Sequence, residues 1–152
     1  MGRILVILVF VGLVAAGFSL SRQPAPPPLL DVPEMMSTGA VPGRSPGQSR
    51  GGPLYWSTAV SKEFSSLEVA SYGPRQKPEI VTGEFRTPIA GRTQALEALG
   101  ADDRYKVTSE THEFVSLVGG PFAELTLYRS QLYVDEYSSF FAATRVGLAN
   151  LK

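Results

Sequence analysis

Hydrophobic and polar positions divide this chain into three regimes. Residues 4–20 run without a charge, and twelve of these seventeen are Leu, Ile, Val or Phe. Residues 23–53 lose any such pattern: Pro, Gly and Ser dominate, and eight of the twelve prolines lie there. From Leu54 onward apolar and polar residues alternate again, and thirteen of the fifteen aromatics fall in this part. The pattern predicts a membrane-directed segment over 1–22, a Pro/Gly-rich disordered linker over 23–53 and a globular α+β domain over 54–152.

The apolar run favours the bilayer by roughly −4 to −7 kcal/mol, taking about −0.3 to −0.6 kcal/mol per large apolar residue. As a helix it reaches about 25 Å, short of a hydrocarbon core about 30 Å thick. Arg3 and Arg22 can snorkel outward to make up part of the difference. Two readings fit. One is a retained single-pass anchor. The other is a cleaved signal peptide, with Arg3 as its positive end and Val14-Ala15-Ala16 or Ala15-Ala16-Gly17 before the cut. The run continues through Phe18 and Leu20, and a stiff Pro-rich stretch follows it, so the anchor is the expectation. Gly12, Ala15, Ala16 and Ser19 then share one helix face, and Gly12 with Ala16 forms a small-xxx-small pair suited to packing on partner helices. The positive-inside rule places the N-terminus in the cytoplasm and the domain on the periplasmic or extracellular side.

Residues 23–53 open with Gln-Pro-Ala-Pro-Pro-Pro, which favours polyproline II. As a flexible coil the 31 residues span about 30 Å, and about 95 Å fully extended. Leu29, Leu30, Val32, Met35 and Met36 form the one apolar island. It reads as a sticky piece of linker or a short docking segment.

Within the domain, Trp56, Val60, Phe64, Leu67 and Ser71 fall on one helical stripe, which predicts a helix over 57–72, with a strand over 64–72 as the rival. Residues 79–87 alternate, Val81 and Phe85 against Thr82, Glu84 and Arg86, and predict a half-buried strand ended by Pro88. A short helix is expected over 93–99. Strands are expected over 105–108, 111–118 and 122–129, the last two forming a hairpin around Gly119-Gly120-Pro121, with Leu132 to Val134 as an extension. Tyr137, Phe140, Phe141, Thr144, Leu148 and Leu151 carry helical spacing and predict a C-terminal helix capped by Asp135. Antiparallel strands with two to three helices make the class α+β.

Charge changes the picture chiefly by exclusion. Fourteen basic and fourteen acidic residues balance, and nucleic-acid partners require a basic surface. With no cysteine, disulfides, thiol catalysis and cysteine–zinc sites are ruled out. Ten arginines against four lysines and a single asparagine fit a GC-rich bacterial genome. His112, the only histidine, lies near Glu110, with Asp102 and Asp103 as distant acids, and the spacing builds no metal site. No Gly-x-Ser-x-Gly elbow is present. Gly91-Arg92-Thr93 before a helix is an ordinary helix start. Arg75, Lys77, Arg86 and Arg92 form a modest basic set interrupted by Glu79 and Glu84, which reads as a solvated face or a contact for anionic headgroups or an acidic partner. Aromatics are dense at the end of the chain, and Tyr128, Tyr133 and Tyr137 are the candidate partner surface.

The expectation is therefore a non-catalytic accessory, assembly or scaffolding subunit of a bacterial inner-membrane complex. Its partners are the bilayer and other membrane-protein subunits, without cofactor, metal, nucleic acid or small-molecule substrate. A secreted or periplasmic binding module released by signal cleavage is the alternative, and a small hydrolase the third.

Overall fold

Val81, Gly83 and Phe85 turn to one side of a long strand, and Ile80, Thr82 and Glu84 to the other. That strand is the centre of the protein. The computed structural model describes residues 28–102 and 104–151. Its strands are β1 Gln48–Ser49, β2 Tyr55–Thr58, β3 Phe64–Ser71, β4 Ile80–Ala90, β5 Lys106–Glu110, β6 Phe114–Gly119, β7 Phe122–Arg129 and β8 Glu136–Ala143. The helices are α1 Val32–Thr38, α2 Arg92–Ala98 and α3 Arg145–Ala149.

All eight strands join one antiparallel sheet in the order β1-β2-β3-β4-β8-β7-β6-β5. Two meanders, β1 to β4 and β5 to β8, meet where β4 pairs β8, with Val81 opposite Ala142 and Gly83 opposite Phe140. The result is a sheet-rich α+β domain.

One face of the sheet carries Leu67, Val69, Val81, Phe85, Val115, Leu117, Leu125, Leu127 and Phe140, packed against α1 and α2. Phe64, Phe85 and Phe140 meet there with ring centroids 5.3–5.9 Å apart. Among the described residues the other face is covered only at one end, where α3 brings Leu148 to Ile80, Phe141 and Ala143. Elsewhere it presents Thr58, Ser66, Glu68, Thr82, Glu84 and Ser139 around a shallow depression of about 480 Å³. An antiparallel sheet with one dry and one wet face is the ordinary outcome of such alternation.

Three expectations for residues 54–152 change. Residues 57–72 are not a helix but β2 and β3. The stripe from Trp56 to Ser71 is a coincidence of spacing, and the rival strand over 64–72 is the observed one. The C-terminal helix is β8 followed by the short α3. β8 lies mid-sheet, so Phe140 and Ala142 meet one core while Phe141 and Ala143 meet the other. A strand buried on both faces reads as a continuous apolar run and loses its alternation. Pro88 does not end β4, because it falls where the register with β8 shifts between Glu84 and Ile89, and a bulge tolerates a missing N–H.

The described part of the expected disordered linker, residues 28–53, is folded onto the domain. Asp31 accepts the Glu34 amide at 2.9 Å and caps α1, Pro33 occupies its first turn, and Gly39 at φ 79° ends it. Leu30, Val32, Met35 and Met36 are buried against Ala95, Leu96 and Leu99. The Leu30 and Val32 amides donate to the carbonyls of Ala98 and Leu99 at 2.9 and 3.0 Å. The apolar island is thus part of the core, which repays the ordering entropy that a Pro-rich composition alone does not. Residues 23–27, and the run over 1–22 with Gly12, Ala15, Ala16 and Ser19, lie outside the described residues. Among the described residues no helix is long and apolar enough to cross a membrane.

Candidate functional site

Leu132, Tyr133 and Val134 follow one another in the connection between β7 and β8, and they are 84%, 63% and 63% exposed. Leaving three consecutive large apolar residues in water is unfavourable by roughly 1.5–3 kcal/mol each relative to burial. Such a run on an otherwise polar connection is an unsatisfied surface.

The connection is held in place. Arg129, at the end of β7, is nearly buried, with its side chain 11% exposed. Its guanidinium donates to the Thr111 carbonyl at 3.1 Å, the Val134 carbonyl at 2.6 Å and Glu110 Oε1 at 2.7 Å. It also lies 5.5 Å from the centroid of the Tyr137 ring. One side chain therefore ties the apolar connection to the β5–β6 turn and to the end of β5. Backbone bonds close it further: the Ser130 amide donates to the Glu136 carbonyl at 2.6 Å and the Gly91 amide to the Asp135 carbonyl at 2.8 Å. Glu110 also pairs with Arg92 at 3.6 Å, so the start of α2 belongs to the same frame. An apolar tip on a fixed frame loses little conformational entropy on docking.

The three tyrosines singled out by sequence separate here. Tyr133 sits at the tip. Tyr128 is 40% exposed on the wet face of the sheet, in edge contact with Phe114 at 6.4 Å. Burial, and next the nearby Glu124 charge, raise its phenol above the ordinary value. Tyr137 is only 3% exposed; it packs in the core beneath Arg129 and offers no surface. Leu132 and Val134 escaped notice because they also fit a strand extension, and Arg129 because a lone arginine carries no pattern.

The remaining candidates are also placed. His112 lies in the β5–β6 turn, exposed, with Nε2 3.6 Å from Glu113 Oε1. Glu110 points instead to Arg129 and Arg92, so the two do not converge. Among the described residues no three His, Cys, Asp or Glu side chains gather around a common point. Asp102 is held below the usual carboxylate range by hydrogen bonds from Arg104; Asp103 lies outside the described residues. Gly91 precedes α2 without a capping side chain. Arg86 is spent on the Lys62 and Phe64 carbonyls at 2.8 and 3.1 Å. Arg75 and Lys77 make no side-chain hydrogen bond or ion pair among the described residues.

Comparison with protein-family models, with curated proteins and with solved structures finds no match to this chain.

Proposed function

We propose that this protein is a non-catalytic accessory subunit, tethered to the membrane by residues 4–20, that docks on another membrane-protein subunit through Leu132, Tyr133 and Val134. The observation that carries the reading is the exposed apolar tip held by Arg129. Tyr is suited to anchor an interface, and a pre-formed tip lowers the ordering cost of binding. The short tether supports it. Leu30 is already buried, so nine residues, 21–29, separate it from the end of the apolar run. At about 3.1 Å per residue they reach about 28 Å. A domain on that leash meets partners that stand close to the bilayer surface.

A photo-crosslinking residue at position 133 of the full-length chain, expressed in its native membrane, tests this. The expected result is one discrete adduct with an integral membrane protein, absent when the crosslinker is moved to Thr58 on the wet face. Adducts with lipid alone, or none at either position, would overturn the reading. Intact mass of the same native protein reports whether residues 1–21 are retained; a mass lacking them would favour the secreted binding module instead.

A further inference from the structure

Ser45 runs beside β2, its amide donating to the Thr58 carbonyl at 2.8 Å, and the Arg44 side chain before it reaches over β2 and β3. Two serines stand there on the core side of the sheet, Ser57 and Ser71, 3% and 0% exposed. The Arg44 guanidinium donates to both hydroxyls, at 3.4 Å to Ser57 and in a short bond to Ser71, and to the Gln76 carbonyl at 2.9 Å. All three partners are neutral. Three of its five N–H groups are used, and two remain. No carboxylate pairs with it among the described residues, and burial lowers its pKa from the ordinary value.

A cavity of about 730 Å³ opens beside it, lined by Gly39, Ala40, Val41, Arg44, Ser45, Pro46, Pro74 and Arg75. The lining holds two cations and no acid. Arg75 has φ 66°, the only positive φ at a non-glycine position among the described residues, in a region where a side chain at Cβ is strained. Lys77 stands next to it, its backbone against Gly39. Two acids, Asp31 and Glu34, line a neighbouring depression that shares Ala40 with this one and contains Leu29 and Leu30. Asp31 is engaged in capping α1. The cavity therefore adjoins the depression at the start of the described residues, where Leu29 and Leu30 lie.

We propose that Arg44 and Arg75 form a binding site for a phosphate group carried on a larger molecule. Arg44 is fixed in place by Ser57, Ser71 and the Gln76 carbonyl, and its two remaining N–H groups form one jaw. Arg75, without a side-chain partner among the described residues, forms the other. Paired guanidinium N–H donors match phosphate oxygens in geometry and charge. Ala40, Val41, Pro46 and Pro74 provide an apolar wall for the body that carries the phosphate. A bound anion supplies the half-buried Arg44 with the opposite charge that its neutral partners lack. Two sources supply this chemistry: a soluble phosphate monoester, or the headgroup of an anionic phospholipid within reach of the short tether. The second source rests on retention of residues 4–20 in the membrane; the first does not.

The test uses the full-length chain and reads the side-chain Nε–H resonances of Arg44 and Arg75 by NMR. The chain is held in nonionic detergent and titrated with inorganic phosphate and with glycerol phosphate, chloride serving as ionic-strength control. In parallel it is placed in nanodiscs of phosphatidylcholine with and without phosphatidylglycerol. Saturable shifts with glycerol phosphate assign a soluble ligand; shifts confined to phosphatidylglycerol nanodiscs assign the headgroup. In either case Arg75→Gln weakens binding by about tenfold or more. Arg75→Gly weakens it to the same extent, yet unfolds at no lower temperature, because glycine accepts the positive φ. Absence of saturable shifts in both arms, or binding unchanged in Arg75→Gln and Arg75→Gly, overturns the proposal.

Discussion

Gly147 sits in α3 where the helix presses on the start of β4. A Cβ there would collide with the Glu79 carbonyl oxygen and lie 2.9 Å from both the Glu79 carbonyl carbon and Ile80 Cγ1. The opposing atoms are mainly backbone, and Glu79 is engaged twice, its carbonyl accepting the Thr144 amide at 2.9 Å and its carboxylate the Thr144 hydroxyl. Nothing there can swing aside. Gly147→Ala is expected to destabilise the domain by about 1–3 kcal/mol, seen as a melting point lowered by about 4 °C per kcal/mol at this size. Two tyrosines give a residue-scale prediction in pH. Tyr105 packs on Phe122 at 5.5 Å, and its phenol, like that of Tyr128, is raised first by burial, with nearby acids adding to it. A free phenol ionises near pH 10. The unfolded chain thus loses these protons before the folded one, so stability is unaffected below about pH 10 and falls as pH rises through the folded value. Ultraviolet absorbance titration should show one late-ionising phenol lost in Tyr105→Phe and another lost in Tyr128→Phe.

At the scale of elements, α1 is the decisive case. A Pro-rich composition makes 23–53 look incapable of order, and the island from Leu29 to Met36 has no alternation to reveal its partners. Met35 nevertheless lies in the main core, against α2 and the sheet. Met35→Ala is expected to cost about 2–5 kcal/mol, whereas a linker residue would cost nothing measurable by denaturant unfolding. Asp31→Ala, which removes the cap, should cost about 1 kcal/mol. Leu132→Ser gives the contrast: an exposed position on a pinned connection, its substitution should change stability by less than about 0.5 kcal/mol while removing the crosslink expected from residue 133. The sheet edges illustrate a further rule. β1 has two residues, and β5, exposed throughout, carries Lys106 and Glu110 at its ends; short and charged edges resist pairing with other chains.

At the scale of the whole molecule, the β4–β8 pairing joins two meanders that would each be incomplete alone. Phe140, fully buried on that seam, touches the Phe64 and Phe85 rings from the first meander. Phe140→Ala should cost about 3–5 kcal/mol and lower hydrogen-exchange protection in both halves together, within one cooperative transition. Local patterning determined much of this. The strand at 79–87, the short helix after Gly91, the hairpin around Gly119-Gly120 and the α+β class all follow from half-buried alternation and turn residues, which are properties of neighbours in sequence. The apolar run over 4–20 is equally a local property. Tertiary structure alone decided the rest. It made β8 a two-faced central strand, because burial on both sides removes the period that would mark it. It drew residues 30–38 into the core, because their apolar partners on α2 and the sheet are more than twenty residues away in sequence. It sorted Tyr133 to the surface and Tyr137 to the core, because the bond network of Arg129 sets where the β7–β8 connection turns. And it gathered Arg44 and Arg75 beside two buried serines, a juxtaposition of residues up to 31 positions apart that no spacing along the chain encodes.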